Sequence, residues 1–470
     1  MRGLARATLR GSTLATLLLC FFVYLGGARA IRSASRSVGV DYYQFWAIGR
    51  DVVQHEHRSV YGQSASLRLG QRLAGEAARS DDVVLRTAGA WRGSLSATGT
   101  PLHYAAVGYL SSSDYVTSLK TYRCALLCGF CASVLGLGWL FGLSLSNSLA
   151  TLSLLLLVQF EPLLSDLRVG NVNCIQLAGL AFYAWIRQRS PVRQREVVAA
   201  AWLGLLLAFK PNLILVAAIL SLQPLLHRNV HTFLRTTAAL LAGAAFAMLL
   251  ASFAWQSPVV WLDWFKANAT ELAGWATVGQ GNYAPLALLL HYSPAVSLLG
   301  FGCSLLAVVA LGVCLRDPVR PAETAVTTSS ECAWFLAIGC LAPLLITHLA
   351  WLHYFVLTTP ALLLVTSRPR QTPRSLRQLG RLALVIAAWV LLAGASFKFS
   401  MSATSDLESA VVHVLGVLVL LCSLCAESRT VGSQPLAPLR ALRVRRKRGR
   451  FATLPVKVKR SLASGRRANA

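Results

Sequence analysis

Apolar residues gather along most of this chain into stretches separated by short polar connectors. The stretches cover 14–30, 118–143, 147–163, 172–187, 196–209, 212–227, 232–254, 293–315, 332–347, 354–367, 381–397 and 410–426. A helix needs roughly 20 residues to cross a bilayer. The longer stretches predict membrane-spanning helices, and the shorter ones call for a local explanation. Before the second stretch lies a long polar interval, 31–117. Within it "DYYQFWAIGRDVVQHEHRSVYG" places Tyr42, Phe45, Trp46, Val52 and Val53 at helical spacing, with Arg50, Asp51 and Gln54 off that stripe. This predicts an amphipathic helix lying in the membrane interface.

Composition agrees with the pattern. The 470 residues are 55% hydrophobic and only 13% charged, with a mean hydropathy of +0.56. Soluble domains carry about 25% charged residues, and one aqueous core cannot hide this much apolar surface. The fold class expected is an all-α polytopic integral membrane protein. The N-terminus has Arg2, Arg6 and Arg10 before an apolar run and "GGARA", as a signal peptide would. The many later spans favour an uncleaved first helix. The 11 cysteines lie in or beside apolar segments, where they read as small buried residues and suggest no disulfide framework.

Charge then orients the chain. The net charge of +27 is carried by the connectors and by the tail, which from Ser428 onward has no Asp or Glu. With the N-terminus inside, "RQRSPVRQR", "HRNVHTFLR", "RDPVRP", "SRPRQTPRSLRQLGR" and the tail all fall in the cytoplasm, as the positive-inside rule requires. Residues 1–427 form one transmembrane domain on this reading, and 428–470 form a disordered basic cytoplasmic tail. Arg443, Arg445, Arg446, Lys447, Arg448 and Arg450 suit anionic membrane lipids; no nucleic-acid partner is expected. The location expected is the plasma (inner) membrane, with both termini cytoplasmic.

The same topology gathers polar chemistry outside. Lys210-Pro211 interrupts "AWLGLLLAFKPNLILVAAIL". A lysine at mid-membrane costs about 2.5–3.5 kcal/mol, and proline breaks a helix. Two half-helices meeting at an outer break satisfy both facts. Asp41 follows the first span, and "FEPLLSDLRVGNVN" supplies Glu161, Asp166, Arg168, Asn171 and Asn173 in an outer turn. "THLAWLHYF" adds His348 and His353. Arg and Lys suit a phosphate, His adds a donor, and a carboxylate can act as general base. Each residue also has a plainer reading. Glu161 and Arg168 can be a structural pair, His353 a helix-end hydrogen bonder, and Asp41 a helix cap.

The Asp-aromatic stretch closing on Tyr-Gly, the FEP-x7-GN-x-N turn, the Lys-Pro break and the late outer His motif together resemble glycosyltransferase family 87. The resemblance implies a GT-C-type bundle of about 11–12 transmembrane helices with short extracytoplasmic helices. It implies inverting transfer of a hexose, usually mannose, from a polyprenyl-phosphate sugar donor to a lipid or glycan acceptor on the extracytoplasmic face. Asp41 then matches the base, and Arg168 and Lys210 match the phosphate-facing cations. Glu161, Asn171 and Asn173 match the outer-turn polar group, and the late His is either His348 or His353. No nucleotide and no cofactor are implied, and a divalent metal is optional. "TPLHYAAVGYL" departs from the family in lacking a double proline, and the basic tail is longer than usual. The rival class is a flippase or transporter of a lipid-linked sugar, which also needs broken helices and intramembrane charge. Against it, no internal repeat is visible and the ionisable groups gather outside.

Reporter fusions after Arg193, Arg228, Arg370 and Arg445 should report cytoplasm, and fusions at Gln63 and Gln280 the outside. A cytoplasmic signal at Gln63 would put Asp41 on the wrong side for this chemistry.

Overall fold

A computed structural model describes residues 2–54, 60–93, 95, 97–188, 193–271, 281–291, 293–316, 327–367, 376–393 and 404–431. Among the described residues the chain is helical, with one isolated bridge, Asn282 to Trp351, in place of a sheet. The tail beyond 431 and parts of three basic connectors lie outside these residues.

A long first helix, α1 (Arg2–Ala34), leads into four shorter ones: α2 (Val40–Val53), α3 (Gln63–Ala78), α4 (Val83–Trp91) and α5 (Pro101–Leu110). Next come α6 (Tyr115–Leu140), α7 (Leu145–Leu157), α8 (Glu161–Val169), α9 (Asn173–Gln188) and α10 (Arg193–Phe209). After a 3₁₀ turn at Pro211–Leu213 follow α11 (Ile214–Leu226), α12 (Val230–Ala254), α13 (Val260–Glu271), α14 (Pro285–Leu289), α15 (Pro294–Arg316) and α16 (Thr327–Ile346). A 3₁₀ segment, Leu352–Thr358, precedes α17 (Thr359–Ser367), α18 (Leu376–Ala393) and α19 (Thr404–Val431).

Every apolar stretch of the sequence overlaps a helix. Among the described residues, however, five helical segments are long and apolar enough to cross a membrane unaided: Thr13–Ala34, Tyr115–Leu140, Val230–Ala254, Pro294–Leu315 and Leu407–Ala426. α7 and α8 form a pair bent by 65°, a broken span or re-entrant loop, and Pro211–Leu226, Glu331–Ile346, Leu352–Ser367 and Leu382–Ala393 are shorter. The count of 11–12 therefore resolves into a few full-length helices and many shortened ones. The chain is a multi-pass membrane protein whose bundle is interrupted where polar residues enter.

The helix starts follow local chemistry. Asp82 accepts from Val84 N and Leu85 N at α4, Thr100 accepts from His103 N ahead of Pro101 at α5, and Asp114 accepts from Thr117 N at α6. Each satisfies backbone donors that a helix start leaves open.

The interval 31–117 holds more structure than the one interfacial helix expected. Ten residues of α2 are buried, Tyr42 and Tyr43 and also Asp51 among them. Asp51 is neutralised by Arg72 of α3. α5 covers the other face at close range: a Cβ on Gly49 would sit 2.6 Å from Gly108 N. Two residues without side chains let the backbones meet, so α2 is a core element. Tyr42 stacks on Tyr122 of α6 at 4.4 Å, and its hydroxyl bonds Ser118 at 2.5 Å.

α2 also packs on the turn between α8 and α9. Gly170 ends α8 with φ 72°, and a Cβ there would lie 2.5 Å from Tyr42 Cβ. Gly142 has φ 86° but open space around it. Gly142→Ala should cost only the backbone strain, about 1–3 kcal/mol. Gly170→Ala should cost that plus about 1–3 kcal/mol of overpacking. Thermal unfolding in detergent checks this; equal losses would mean that Tyr42 and the turn are not in close contact.

Candidate active site

The turn between α8 and α9 is built around a buried carboxylate. Asp166 has no exposed surface. Its Oδ1 accepts from Asn173 Nδ2 at 2.7 Å, and its Oδ2 accepts from Cys174 N at 3.0 Å. It thereby caps α9 from the preceding helix. Arg123 of α6, also buried, closes the other side by donating to Leu167 O at 2.9 Å and to Ser37 O at 2.9 Å.

Between these anchors Asn171 points toward α2. Its Nδ2 donates to Asp41 Oδ2 at 2.8 Å, while its Oδ1 accepts from Lys210 Nζ at 2.5 Å. Lys210 stands at the expected break. α10 ends at Phe209, Lys210 is extended with φ −153°, and Pro211 starts the 3₁₀ turn. The carbonyl of Phe209 accepts from Thr100 Oγ1 at 2.8 Å, so the broken ladder is satisfied from α5. Lys210 Nζ also lies 3.4 Å from Asn173 Oδ1 and 4.8 Å from the centre of the Tyr354 ring.

Asp41 is the second residue of α2. The N-cap is Gly39 in the left-handed region, without a side-chain cap. The capping role considered for Asp41 is therefore not the one it plays here. Its Oδ1 pairs with Arg92 Nη2 at 2.5 Å, and 19% of its side chain is exposed.

Asp41, Arg92, Asn171 and Lys210 share the wall of a cavity of about 1460 Å³. His348 and His353 line it as well, so both candidates for the late His reach it. Ile214, Leu215, Pro343, Ile346, Leu349 and Leu352 form an apolar side, where Ile214 and Ile346 are exposed. The loop bearing the histidines is held by Asn282. Its Nδ2 donates to His348 O at 2.8 Å, and its Oδ1 accepts from Ala350 N at 2.9 Å.

Three expected residues do not line the cavity. Arg168 donates to Glu161 at 2.7 Å, the structural-pair alternative, and its Nη2 reaches Ser33 Oγ at 3.4 Å. Their ion pair lies toward the end of α1, where Arg168 reaches Ser33, while Ser165 and Val169 are the residues of α8 that line the cavity. Asn173 is buried behind the wall and acts through Lys210 and Asp166.

Two cavity residues carried no signal in the sequence. Arg92 follows α4, and His103 is in α5. His103 packs between Phe45 and Phe209, with ring centres 4.2 Å and 4.9 Å away. Burial, with the nearby Lys210 adding to it, pushes its pKa down to about 3, so the imidazole is neutral at physiological pH. Nε2 of His103 and Nε2 of His353 are both buried without a hydrogen-bond partner. Such orphans cost about 1–3 kcal/mol each. Among the described residues no group of three or more His, Cys, Asp or Glu has the arrangement of a metal site.

Asn282→Ala should speed amide hydrogen exchange in a peptide covering 345–354 and leave 160–173 unchanged. Unaltered exchange in 345–354 would mean that Asn282 does not hold the histidine loop.

The family model for glycosyltransferase family 87 matches residues 115–343. A 213-residue segment is 31% identical to the polyprenol-phosphate-mannose-dependent alpha-(1-2)-phosphatidylinositol mannoside mannosyltransferase of Mycolicibacterium smegmatis. That match covers 44% of this chain and 44% of the relative, so it spans less than half the length of either. No solved structure matches. The family match contains Glu161, Arg168, Asn171, Asn173 and Lys210; Asp41, Arg92 and His103 precede it, and His348 and His353 follow it.

Proposed function

We propose that this chain, a member of glycosyltransferase family 87 through residues 115–343, is a membrane glycosyltransferase with Asp41 as its general base. It transfers a hexose, with mannose the sugar favoured, from a polyprenyl monophosphate donor to a lipid or glycan acceptor. The reaction runs on the extracytoplasmic face with inversion. The observation that carries the reading is the chain of contacts from Asp41 through Asn171 to Lys210 on one cavity wall. It sets a proton acceptor and a cation side by side without letting them neutralise each other directly. The name of the mycobacterial relative supports the donor class and suggests a phosphatidylinositol mannoside as a model acceptor.

The chemistry follows from that spacing. Asp41 takes the proton of an acceptor hydroxyl, whose oxygen attacks the anomeric carbon. The bond from that carbon to the phosphate oxygen breaks on the opposite side, and its electron pair leaves with polyprenyl phosphate. Lys210 offers a charge-assisted hydrogen bond to the negative charge that gathers there, and His348 or His353 supplies a further donor. Preorganised electrostatic stabilisation of this kind is commonly the largest catalytic contribution. The exposed Ile214 and Ile346 give an isoprenoid chain an apolar way in from the bilayer. Arg168 and Glu161 serve to hold α8 against α1. Anionic lipid remains the proposed partner of the basic tail.

Asp41→Asn retains size and the ability to accept a hydrogen bond but is not a base. Single-turnover transfer from labelled polyprenyl-phosphate mannose should fall by roughly 10²–10⁴-fold in purified, monodisperse protein. Transfer within a few-fold of wild type would refute the assignment. A flippase would form no glycosidic bond with either protein.

A further inference from the structure

Each carboxylate oxygen of Asp41 already accepts one hydrogen bond, and Oδ1 does so from a cation. Arg92 Nη2 holds Oδ1 at 2.5 Å, and Asn171 Nδ2 holds Oδ2 at 2.8 Å. An acceptor hydroxyl can use a remaining lone pair, but it then shares the carboxylate with these donors, and the guanidinium charge competes with its proton. The two donors are not equally held. Asn171 is fixed from behind, because its Oδ1 accepts from both Val172 N and Lys210 Nζ. Arg92 sits just past the end of α4, its side chain is 24% exposed, and its second contact is the Val40 carbonyl at 3.1 Å. It is the donor more easily exchanged. A guanidinium leaves a carboxylate readily only for another anion, and a phosphate offers the same two-pronged geometry with more oxygens. Arg92 and Lys210 line the same cavity, on either side of Asp41 and Asn171.

We propose that Arg92 is a ligand of the donor phosphate, held by Asp41 until the donor arrives. The phosphate takes the guanidinium, and that exchange frees Asp41 Oδ1 for the acceptor hydroxyl. The inference rests on Asp41 being the base. It favours an order in which the anionic donor binds first, because the guanidinium then no longer competes with the acceptor hydroxyl for the carboxylate. No covalent bond changes in the exchange; the guanidinium only changes its anionic partner.

The carboxylate and the phosphate then compete for one cation, and this competition is measurable. Binding of polyprenyl phosphate to the purified full chain would be titrated in wild type, Asp41→Asn, Arg92→Gln and the double variant. Asp41→Asn should bind at least ten-fold more tightly than wild type, and Arg92→Gln at least ten-fold more weakly. In the Arg92→Gln background Asp41→Asn should bring no gain. Arg92→Lys should recover part of the affinity, since a point charge replaces the fork; it also preserves the test if the Gln variant does not fold. An equal gain from Asp41→Asn with and without Arg92 would overturn the proposal, because simple charge removal then explains it. So would unchanged affinity in a normally melting Arg92→Gln protein. Full transfer by Asp41→Asn would instead sink the base assignment. A transfer-dead Asp41→Asn protein lacking the Arg92-dependent gain sinks the exchange alone.

Discussion

A carboxylate with no exposed surface has to find its hydrogen-bond donors inside the protein, and Asp166 sets that condition for the whole site. It draws the side chain of Asn173 and the first amides of α9 toward α8, and the connecting turn is fixed as a result. Gly170 is then forced into the left-handed region, and its missing side chain leaves room for Tyr42. Asn171, one residue on, is carried to the point where α2 and the Lys210 break converge. Removing the donors of Asp166 would leave a buried charge unpaired, and such a defect commonly costs several kcal/mol.

The bundle around this turn trades membrane-spanning length for polar access. Breaks at Lys210-Pro211 and at Leu352, together with the bend between α7 and α8, each shorten a helix. Every break frees backbone groups that hydrocarbon cannot satisfy, so each must line a cavity or be met by another element. Thr100 meets the Phe209 carbonyl, and Asn282 meets the loop that carries the histidines. The short helices near the site are consequences of the same requirement.

The cavity also shows how opposite charges are held near one another without collapse. Lys210 and Asp41 do not pair directly; an amide stands between them, and Asp41 has its own cation in Arg92. Buried histidines with unpartnered nitrogens add neutral groups that a polar ligand could satisfy. A site organised this way is costly while empty and gains from being filled.

The sequence by itself determined the helical class, the twelve apolar stretches, the break at Lys210-Pro211 and the polar character of the turn at 160–173. Those features follow from hydropathy, from proline's missing amide and from the cost of a charge in hydrocarbon. Asn171, Lys210, His348 and His353 were legible for the same reason, since each stands where an apolar stretch is interrupted, and Asp41 because it opens the aromatic stretch that follows the first one. Only the tertiary structure decided which polar residues meet. Glu161 and Arg168 pair with each other beside Ser33 of α1 instead of lining the cavity, a pairing that a list of residues in a turn does not contain. Arg92 and His103 lie in the polar interval before α6, where an arginine and a histidine look like ordinary surface. The folding of α2, α4 and α5 into a packed unit, with Gly49 against Gly108, brings them to Asp41. Hydropathy is a local property and marks where the chain leaves the bilayer. Contacts across 50 residues, such as Arg92 to Asp41, are set by packing.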